Sequence, residues 1–441
     1  MDTIVAEATP HGRGGVGVVR LSGPKAYSIG AAVSAQTLTP RYAAFSTFVD
    51  KSGAVIDQGL ALFFKAPNSF TGEDVVELQC HGGPMIIDQL LETALTHGAR
   101  LARPGEFSER AFLNDKIDLV QAEAISDLIA ASTRESARAA LCSLQGEFSK
   151  QVHTLVERLI HLRVFIEATL DFPDEDIEFV QNAKVIEDLE EIQTVFERIQ
   201  SQAKVGVLLQ EGIQVALIGK PNAGKSSLMN VLTGQETAIV SDIAGTTRDV
   251  IREKIHLQGI PIHLLDTAGL RSSEDVIEQE GVKRTQKALR EADVVLLLVD
   301  CRTPEDHQEI LKTYAEALAG RTVISVFNKI DLASAVTPDD GVCVSVKTGA
   351  GLQELEQEML HKLKVQQMGE GQFTARRRHL DALAKAGAAL GQGLKHYQHN
   401  QSLELLAEEC RIAQEALSTI TGEFHSDDLL GEIFSTFCIG K

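Results

Sequence analysis

The sequence lacks the features of a membrane-spanning or secreted protein. No apolar run approaches the ~20 residues that cross a bilayer. The first residues, MDTIVAEATPHGRGG, contain no apolar stretch of the kind found in secretory signals. The chain ends in FCIGK, but Lys441 is not among the residues that usually close a prenylation box. These absences predict a cytoplasmic protein with no membrane contact.

Regularly spaced cysteines are also missing. The six cysteines are scattered along the chain and include no C-x-x-C pair. A disulfide framework or a zinc site usually shows such spacing, so we expect reduced thiols.

Positive charge is scarce. The chain has 42 Lys and Arg residues against 62 Asp and Glu residues, which gives a formal net charge of −20. A protein that binds nucleic acid across a broad surface is usually basic. The one tight basic cluster, ARRRH (Ala375–His379), is interpreted equally well as a helix-end cap. We therefore expect RNA contact only through a local patch or through a partner that carries the positive charge.

The apolar pattern divides the chain into four segments. Residues 1–117 carry short apolar segments broken by Gly and Pro, which suits an α+β domain. Residues 211–368 alternate strand-like and helical segments, as in a parallel α/β sheet. Residues 118–210 and 369–441 are helical in texture, and each needs a partner for its apolar face. The pattern predicts an α/β domain inserted into an all-α helical domain.

Two apolar stripes support the helical assignment. The first runs from Leu141 through Leu144 and Phe148 to Ile166, with apolar residues three, four or seven apart. The second has spacings of four and three and consists of Leu406, Cys410, Ala413, Leu417 and Ile420.

A phosphate-binding loop follows the first strand of the α/β segment. GKPNAGKS (Gly219–Ser226) matches G-x-x-x-x-G-K-[ST], with the apolar IQVALI before it and a helical pattern after it. Its backbone N–H groups wrap phosphates, Lys225 neutralises the β/γ-phosphates, and Ser226 ligates Mg²⁺. The positions predicted to contact nucleotide are Asn222, Ala223, Gly224, Lys225, Ser226 and Ser227.

Two further motifs select the base. NKID (Asn328–Asp331) closes one strand and SVKTG (Ser345–Gly349) closes the next. Asp331 can accept two hydrogen bonds from guanine, whereas adenine would leave this carboxylate unpaired. Related GTPases have Ala at the position of Val346, a mild departure. The predicted nucleotide is GTP, with contacts from Asn328, Lys329, Asp331, Ser345, Val346 and Lys347.

The segments IVSDIAGTTRDV and LLDTAG are typical GTPase switches. Asp266 belongs to the second Mg²⁺ shell, Gly269 supplies an amide for the γ-phosphate, and either Thr246 or Thr247 reaches the Mg²⁺. Leu270 stands where many signalling GTPases place a water-orienting glutamine.

Hydrolysis therefore needs another water-orienting group and another positive charge. Carboxylates in EDVIEQEG are candidates for the first role, although most of them are expected on a solvated helix face. The Asn222 amide oxygen, with carbonyls of the first switch, offers ligands for a monovalent cation.

Several segments resemble the MnmE (TrmE) family of tRNA-modification GTPases. They are DTIVAEATPHGRGGVGVVRLSG, NSFTGEDVVELQCHGGP, RPGEFSERAFLNDKIDLVQAEAISDLI, the GTPase motifs above and ITGEFHSDDLLGEIFSTFCIGK, and together they cover essentially the whole chain. The resemblance implies an N-terminal domain similar to folate-dependent one-carbon enzymes and a homodimer formed through it. It also implies a partner, the flavoprotein MnmG, which uses FAD and NADH.

The implied reaction places a carboxymethylaminomethyl or aminomethyl group on the wobble uridine of certain tRNAs. The methylene carbon comes from a tetrahydrofolate, in the 5,10-methylene or 5-formyl form.

The resemblance also assigns residues. Mg²⁺ ligands would be Ser226 and Thr247, and K⁺ ligands would be Asn222, Ser241, Ile243 and Thr246. Glu278 matches the water-orienting carboxylate, with Glu280 as the next candidate, while Arg248 and Arg271 lie in the switches. The implied nucleotide contacts of the switches are Ser241, Asp242, Ile243, Ala244, Gly245, Thr246, Thr247, Asp266, Thr267, Ala268 and Gly269. Folate contacts would be Arg20, Glu77, Lys116 and Lys441.

Two features stay open at this level. Cys438 is either a thiol that acts in the folate pocket or a small packed residue. GRGGVG (Gly12–Gly17) matches a dinucleotide fingerprint, but the strand-like VVRLSG follows where that fingerprint needs a helix.

Two alternative functions are a ribosome-assembly GTPase and a free-standing one-carbon transferase regulated by GTP. Folate binding by residues 1–117 would exclude the first. A requirement for MnmG would exclude the second.

Overall fold

A computed structural model describes residues 2–171, 178–234, 255–265, 286–332, 341–363, 371–423, 427–438 and 440. The chain divides into two compact units. Unit 1 contains Met1–Ile129, Ser143–Ile199 and Asp381–Lys441, and unit 2 contains Ala130–Cys142 and Gln200–Leu380. The four-segment division of the sequence stays a prediction. The predicted fold class, an α/β domain inserted into a helical domain after an α+β domain, is confirmed.

Unit 1 begins with a six-stranded sheet in the order β3-β4-β5-β2-β1-β6. Its one parallel pair joins β1 to β6, and its other pairs are antiparallel. Successive strand residues point to opposite faces, so apolar residues at every second position bury one face against α1 and α2. The strands are β1 (Ile4–Glu7), β2 (Gly14–Ser22), β3 (Ala44–Val49), β4 (Val55–Phe64), β5 (Val75–Gly82) and β6 (Arg100–Leu101).

Seven helices lie in the described part of the amino-terminal half, and their buried residues recur three or four positions apart. They are α1 (Ala26–Val33), α2 (Pro84–Thr96), α3 (Glu106–Leu113), α4 (Leu119–Ala130), α5 (Arg134–Leu144), α6 (Glu147–Asp171) and α7 (Glu178–Glu211).

The first apolar stripe is only partly confirmed. From Phe148 to Ile166 its residues are buried in α6, whereas Leu141 lies in α5 and is 43% exposed. The two helices are separate because Gly146 adopts φ +84°, which interrupts the helical backbone. The second stripe is fully buried in α14 (Leu403–Thr421), which packs against α6.

Unit 2 contains a second six-stranded sheet, in the order β12-β11-β10-β7-β9-β8. Strands β7 and β10 are buried along nearly their whole length, as expected for parallel strands covered on both faces. All pairs are parallel except β8 with β9. The strands are β7 (Ile213–Ile218), β8 (Ile255–Leu257), β9 (Ile260–Leu265), β10 (Val294–Asp300), β11 (Thr322–Asn328) and β12 (Val342–Cys343).

The chain order across this sheet places a crevice at the carboxyl end of β7. After β7 the chain first builds β8 and β9 on one side and then returns to build β10, β11 and β12 on the other. Open α/β sheets bind ligands at such a reversal of strand order.

The remaining helices surround this sheet or belong to the helical part. They are α8 (Lys225–Gly234), α9 (286–291 among the described residues), α10 (Asp306–Thr313), α11 (Ala315–Leu318), α12 (Leu352–Lys362), α13 (Arg377–Asn400), α14 (Leu403–Thr421) and α15 (Asp427–Ser435), with a 3₁₀ turn at Ile330–Leu332. Within the described part of the chain, no helix is both long and apolar enough to cross a membrane.

Candidate functional site

The phosphate loop leaves β7 at the crevice and enters α8 at Lys225. Asn222 and Gly224 have φ values of +65° and +103°, which turn the loop so that it can close around a bound group. A Cβ atom at Gly224 would lie 2.3 Å from Nδ2 of Asn328, so only glycine fits here. The loop therefore meets the positive end of α8, an arrangement that binds anions.

Lys225 reaches back across the loop. Its Nζ donates to the carbonyl oxygens of Gly219 at 2.6 Å and Lys220 at 3.0 Å. Burial lowers the pKa of Lys225 because the charged ammonium loses hydration. A phosphate placed beside it would favour the charged form and restore the lost stabilisation. Ser226 and Ser227 lie exposed in the first turn of α8.

Asn328 joins the phosphate loop to the base-recognition loops. Its side chain is buried, donates from Nδ2 to the Ala223 carbonyl at 2.9 Å, and accepts from the Val346 N–H at 3.2 Å. Val346 packs into the apolar core of unit 2, and Lys347 is exposed.

Asp331 lies at the predicted guanine position and is preorganised by its neighbour. The Ser345 hydroxyl donates to Oδ1 of Asp331 at 2.6 Å and accepts from the Thr348 N–H at 3.2 Å. One carboxylate oxygen is thus oriented by the SVKTG loop. Together with Asn328, this brings the base motifs and the phosphate loop to one edge of the sheet.

Lys329 lies between two acceptors, one of which the sequence analysis missed. Its Nζ donates to the Asn222 carbonyl at 2.6 Å and to Oδ2 of Asp300 at 2.8 Å. Asp300 ends β10, in register with Asn328 on β11. The position of a carboxylate directly after the apolar run VVLLLV could have marked it, because the carboxyl ends of parallel strands share one edge.

The residues of the two switch segments lie outside the described part of the chain. They are Ser241, Asp242, Ile243, Ala244, Gly245, Thr246, Thr247, Arg248, Asp266, Thr267, Ala268, Gly269, Leu270, Arg271, Glu278 and Glu280. Lys441 also lies outside it.

A second cluster forms in unit 1 around Arg20. Arg20 and Glu77 are opposite each other on β2 and β5, and Nε of Arg20 donates to Oε1 of Glu77 at 2.8 Å. Nη1 of Arg20 donates to the Gly440 carbonyl at 3.2 Å, and the guanidinium lies 5.8 Å from the ring centre of Phe107. Phe107 was not predicted, and a lone aromatic residue in GEFSER gives no sequence signal for this role.

Gly440 and Cys438, near the carboxyl terminus, pack against this part of unit 1. Gly440 has φ +93°, and a Cβ there would lie 2.1 Å from the Glu7 carbonyl oxygen. The Cys438 carbonyl accepts from the Gly105 N–H at 3.3 Å, while the Cys438 residue is exposed. Gly440 of the terminal motif thus lies beside Arg20, one of the predicted folate contacts.

Lys116 lines a cleft of about 480 Å³ with Asp118, His153 and Glu423. The structure brings together Arg20, Glu77 and the residue before Lys441. The role of Lys116 in folate binding stays a prediction.

Ion pairs hold α3, the helix that carries Phe107. Arg110 donates to Asp2, Glu73 and Glu106 at 2.7 to 3.2 Å. Arg100 donates to Oε2 of Glu106 at 2.8 Å. Burial opposes ionisation of Glu106, but hydrogen bonds from Arg100 and Arg110 outweigh it and hold the pKa of Glu106 at about 2.

Two sequence features have no place in either cluster. Residues from Gly14 onward form strand β2, so the GRGGVG segment lacks the helix that a dinucleotide fingerprint requires. The ARRRH cluster lies at the start of α13, where Nε of Arg377 donates to Glu211 at 2.9 Å.

Two family models together match nearly the whole chain. The family model described as the GTP-binding protein TrmE N-terminus matches residues 3–116, and that of the MnmE helical domain matches residues 119–438. The tRNA modification GTPase MnmE of Coxiella burnetii (strain Dugway 5J108-111) is 54% identical over 100% of this chain and 99% of its own length. Those of Legionella pneumophila (strain Corby) and Pseudomonas aeruginosa (strain UCBPP-PA14) are 52% and 53% identical, over 100% of this chain and 100% and 99% of their lengths.

Among solved structures, the G domain of the T. maritima FeoB iron transporter is 30% identical over 34% of this chain and 98% of its own. The TM-score is 0.26, too low to bear on the fold.

Proposed function

Because this chain belongs to the MnmE family of tRNA modification GTPases, and is thus a GTP hydrolase of tRNA modification, we propose that K⁺ activates its hydrolysis. With the flavoprotein MnmG, the chain adds a folate-derived carboxymethylaminomethyl or aminomethyl group to position 5 of the wobble uridine. It acts in the cytoplasm as a homodimer.

The observation that carries this proposal is that Asn328, the first residue of NKID, contacts both the phosphate loop and the SVKTG loop. Its side chain bonds both the phosphate loop at Ala223 and the base loop at Val346. A bound nucleotide would have its base at Asp331 and its phosphates in the phosphate loop. It would thus contact, at its two ends, loops that Asn328 joins by hydrogen bonds. Lys225 then neutralises the β/γ-phosphates.

Mg²⁺ and K⁺ fit the donor groups of this loop. Ser226 is exposed beside Lys225, and a hydroxyl at this position is a hard oxygen ligand suited to Mg²⁺, with Thr247 as the second protein ligand. Asn222 is exposed in the loop, and its amide oxygen suits a monovalent cation, with Ser241, Ile243 and Thr246 as the other ligands. When bound, K⁺ supplies the positive charge that an arginine finger supplies elsewhere.

Water activation is assigned to Glu278. Its carboxylate takes the place of the glutamine that Leu270 replaces, orienting water for attack on the γ-phosphate. The remaining switch residues, Ser241 to Thr247 and Asp266 to Gly269, are proposed to contact the nucleotide.

The Arg20 cluster is proposed as the tetrahydrofolate site. Arg20 donates to Glu77 and to the Gly440 carbonyl and lies over the ring of Phe107, and Gly440 is the residue before Lys441. We assign the cationic side chains of Arg20 and Lys441 to the carboxylates of a folate. Lys116 is retained as a folate contact.

Partners carry the rest of the chemistry. FAD and NADH belong to MnmG, and the net charge of −20 favours a basic, RNA-binding partner that presents the tRNA. No observation favours the ribosome-assembly alternative. The free-standing transferase is tested by omitting MnmG.

Hydrolysis in K⁺ against Na⁺ tests the cation proposal. We expect the full chain to hydrolyse GTP much faster in K⁺, because Na⁺ is too small for a cage of this kind. Equal rates in the two salts would exclude K⁺ activation.

The Glu278→Gln variant tests water activation. It should lose roughly 10²–10⁴-fold in rate while still binding GTP, and Glu280→Gln serves as the matched control. A larger loss in the control would move the role to Glu280. Wobble-uridine modification, scored with and without MnmG, tests the biological reaction.

A further inference from the structure

The ammonium of Lys329 is fixed by two acceptors that come from different elements. One is the Asn222 carbonyl in the phosphate loop, and the other is Oδ2 of Asp300 at the end of β10. Lys329 is only 24% exposed and Asp300 only 14%, so water screens this ion pair less than one on the surface.

The Asp300 carboxylate is itself rigid. Its Oδ1 accepts from the Arg302 N–H at 3.0 Å and from Nε of Arg302 at 2.9 Å, and its Oδ2 accepts from Nη2 at 2.6 Å. The Cys301 N–H donates to the Asn328 carbonyl at 2.9 Å, which joins the turn after β10 to the end of β11. These bonds to Arg302 and Lys329 hold the pKa of Asp300 well below its usual range, so the group is a permanent anion at neutral pH.

Asn222 is the residue of the phosphate loop that Lys329 contacts. Its φ of +65° lies in the left-handed region, which Asn adopts more readily than most residues with a side chain. The ammonium of Lys329 binds its carbonyl at 2.6 Å and so fixes the peptide plane that follows. The direction of the Asn222 side chain depends on the same backbone.

We propose that Asp300 is a positioning residue of the nucleotide site, which fixes Lys329 against the Asn222 carbonyl and so keeps the phosphate loop in its cation-binding geometry. This inference rests on the proposed binding of GTP and K⁺. It connects base recognition to cation binding: Asp300 bonds the lysine of the guanine motif, and that lysine bonds the carbonyl of the cation ligand Asn222.

Asp300→Ala and Asp300→Asn, made in the full chain, test this role. The affinity for fluorescent methylanthraniloyl-GDP should fall about 5–30-fold, the usual effect of losing one charge-assisted hydrogen bond. The K⁺ concentration that gives half-maximal hydrolysis should rise several-fold. Asp300→Asn keeps the side-chain shape and tests the charge even if Asp300→Ala fails to fold.

Arg302→Ala is the matched control. Arg302 bonds the same carboxylate but is 53% exposed, and its described bonds all go to Asp300. It should bind GDP within about 2-fold of wild type, because the Arg302 N–H still bonds Oδ1 of Asp300, Lys329 still bonds Oδ2, and exposed ion pairs contribute little.

A double-mutant cycle separates positioning from general stabilisation. If Asp300 acts through Lys329, Asp300→Ala should weaken GDP binding little further in a Lys329→Ala background. Additive losses, an equal loss in Arg302→Ala, or unchanged GDP affinity in both Asp300 variants would each overturn the proposal. If the wild-type rate is the same in K⁺ and Na⁺, the cation part of the proposed function fails, while GDP affinity in the same variants still decides the role of Asp300.

Discussion

At the scale of single residues, Gly440 affects the Arg20 cluster because it has no side chain. It combines φ +93° with a contact so close that a Cβ would lie 2.1 Å from the Glu7 carbonyl oxygen. Its own carbonyl accepts from Arg20, which lies 420 positions earlier in the sequence. A side chain here would push the chain end away from Arg20.

We therefore predict that Gly440→Ala weakens tetrahydrofolate binding at least several-fold and leaves GTP hydrolysis unchanged. Isothermal titration with 5-formyl-tetrahydrofolate measures the first effect. Gly431→Ala is the control, because a Cβ at Gly431 has no heavy atom within 4 Å. If both variants bind folate like wild type, the close packing of Gly440 against Glu7 has no part in folate binding.

Glu106 is a buried carboxylate whose charge stabilises unit 1. Its pKa in the folded chain is about 2, against an ordinary value of 4.5, and that of Asp2 is also about 2 because Arg100 donates to it. A group with a lowered pKa stabilises the folded state above its ordinary pKa. That stability is lost as pH falls from about 4.5 towards 2.

Glu106→Gln should therefore flatten the acid-unfolding curve of the chain. At pH 7 the variant should be less stable by about 1.5–3 kcal/mol, because Arg110 and Arg100 lose charge-assisted hydrogen bonds to Glu106 but keep other carboxylate partners. Circular dichroism between pH 7 and pH 2 measures both effects. Glu109→Gln, which removes only the exposed pair with Arg103, should change little. An acid midpoint that does not move in Glu106→Gln would show that other groups control acid unfolding.

At the scale of elements, α5 illustrates a contact that the helical pattern did not predict. Thr133 precedes this helix, and its hydroxyl donates to the Gly259 carbonyl at 2.7 Å in the turn between β8 and β9. Thr133 also exchanges hydrogen bonds with Ser136 in the first turn of the helix. The start of α5 is therefore hydrogen-bonded to the hairpin formed by β8 and β9. In the sequence, the two switch segments lie on either side of this hairpin.

Thr133→Val should release this hairpin while preserving side-chain shape. We expect a loss of about 1–3 kcal/mol in unfolding free energy, the sum of one net hydrogen bond and one lost helix cap. Faster amide exchange in residues 255–262 should accompany it. Thr133→Ser keeps the hydroxyl and should behave like wild type, and equal exchange in the two variants would contradict a clamping role.

At the scale of the whole molecule, the residues proposed for GTP hydrolysis and those proposed for folate binding form separate sets. The nucleotide residues that the structure describes belong to unit 2, and the Arg20 cluster belongs to unit 1. None of the residues after Phe437 belongs to a nucleotide motif. Loss of the chain end should therefore separate modification from hydrolysis.

Deleting Cys438–Lys441 should leave GTP affinity and K⁺-stimulated hydrolysis nearly intact and should abolish folate binding and tRNA modification. Cys438→Ser separates the two interpretations of the thiol: a reactive thiol loses modification while folate still binds, and a packing residue loses little. Modification at the wild-type rate by the deletion variant would remove the terminal motif from the chemistry.

The sequence by itself determined the chemistry that is local. The phosphate loop, NKID and SVKTG each act through a few consecutive residues, so the local sequence specifies their backbone geometry. The order of these motifs along the chain predicted the GTPase fold. The family resemblance added the Arg20–Glu77 pair and the terminal motif.

Only the tertiary structure decided which distant residues meet. Strand register places Asp300 beside Lys329, and close packing of Gly440 against β1 places the chain end beside Arg20. Gly146 interrupts the predicted helical stripe between α5 and α6. Such outcomes depend on register and on the fit of buried surfaces, which are properties of elements far apart in the chain. A local pattern of residue types therefore does not specify them.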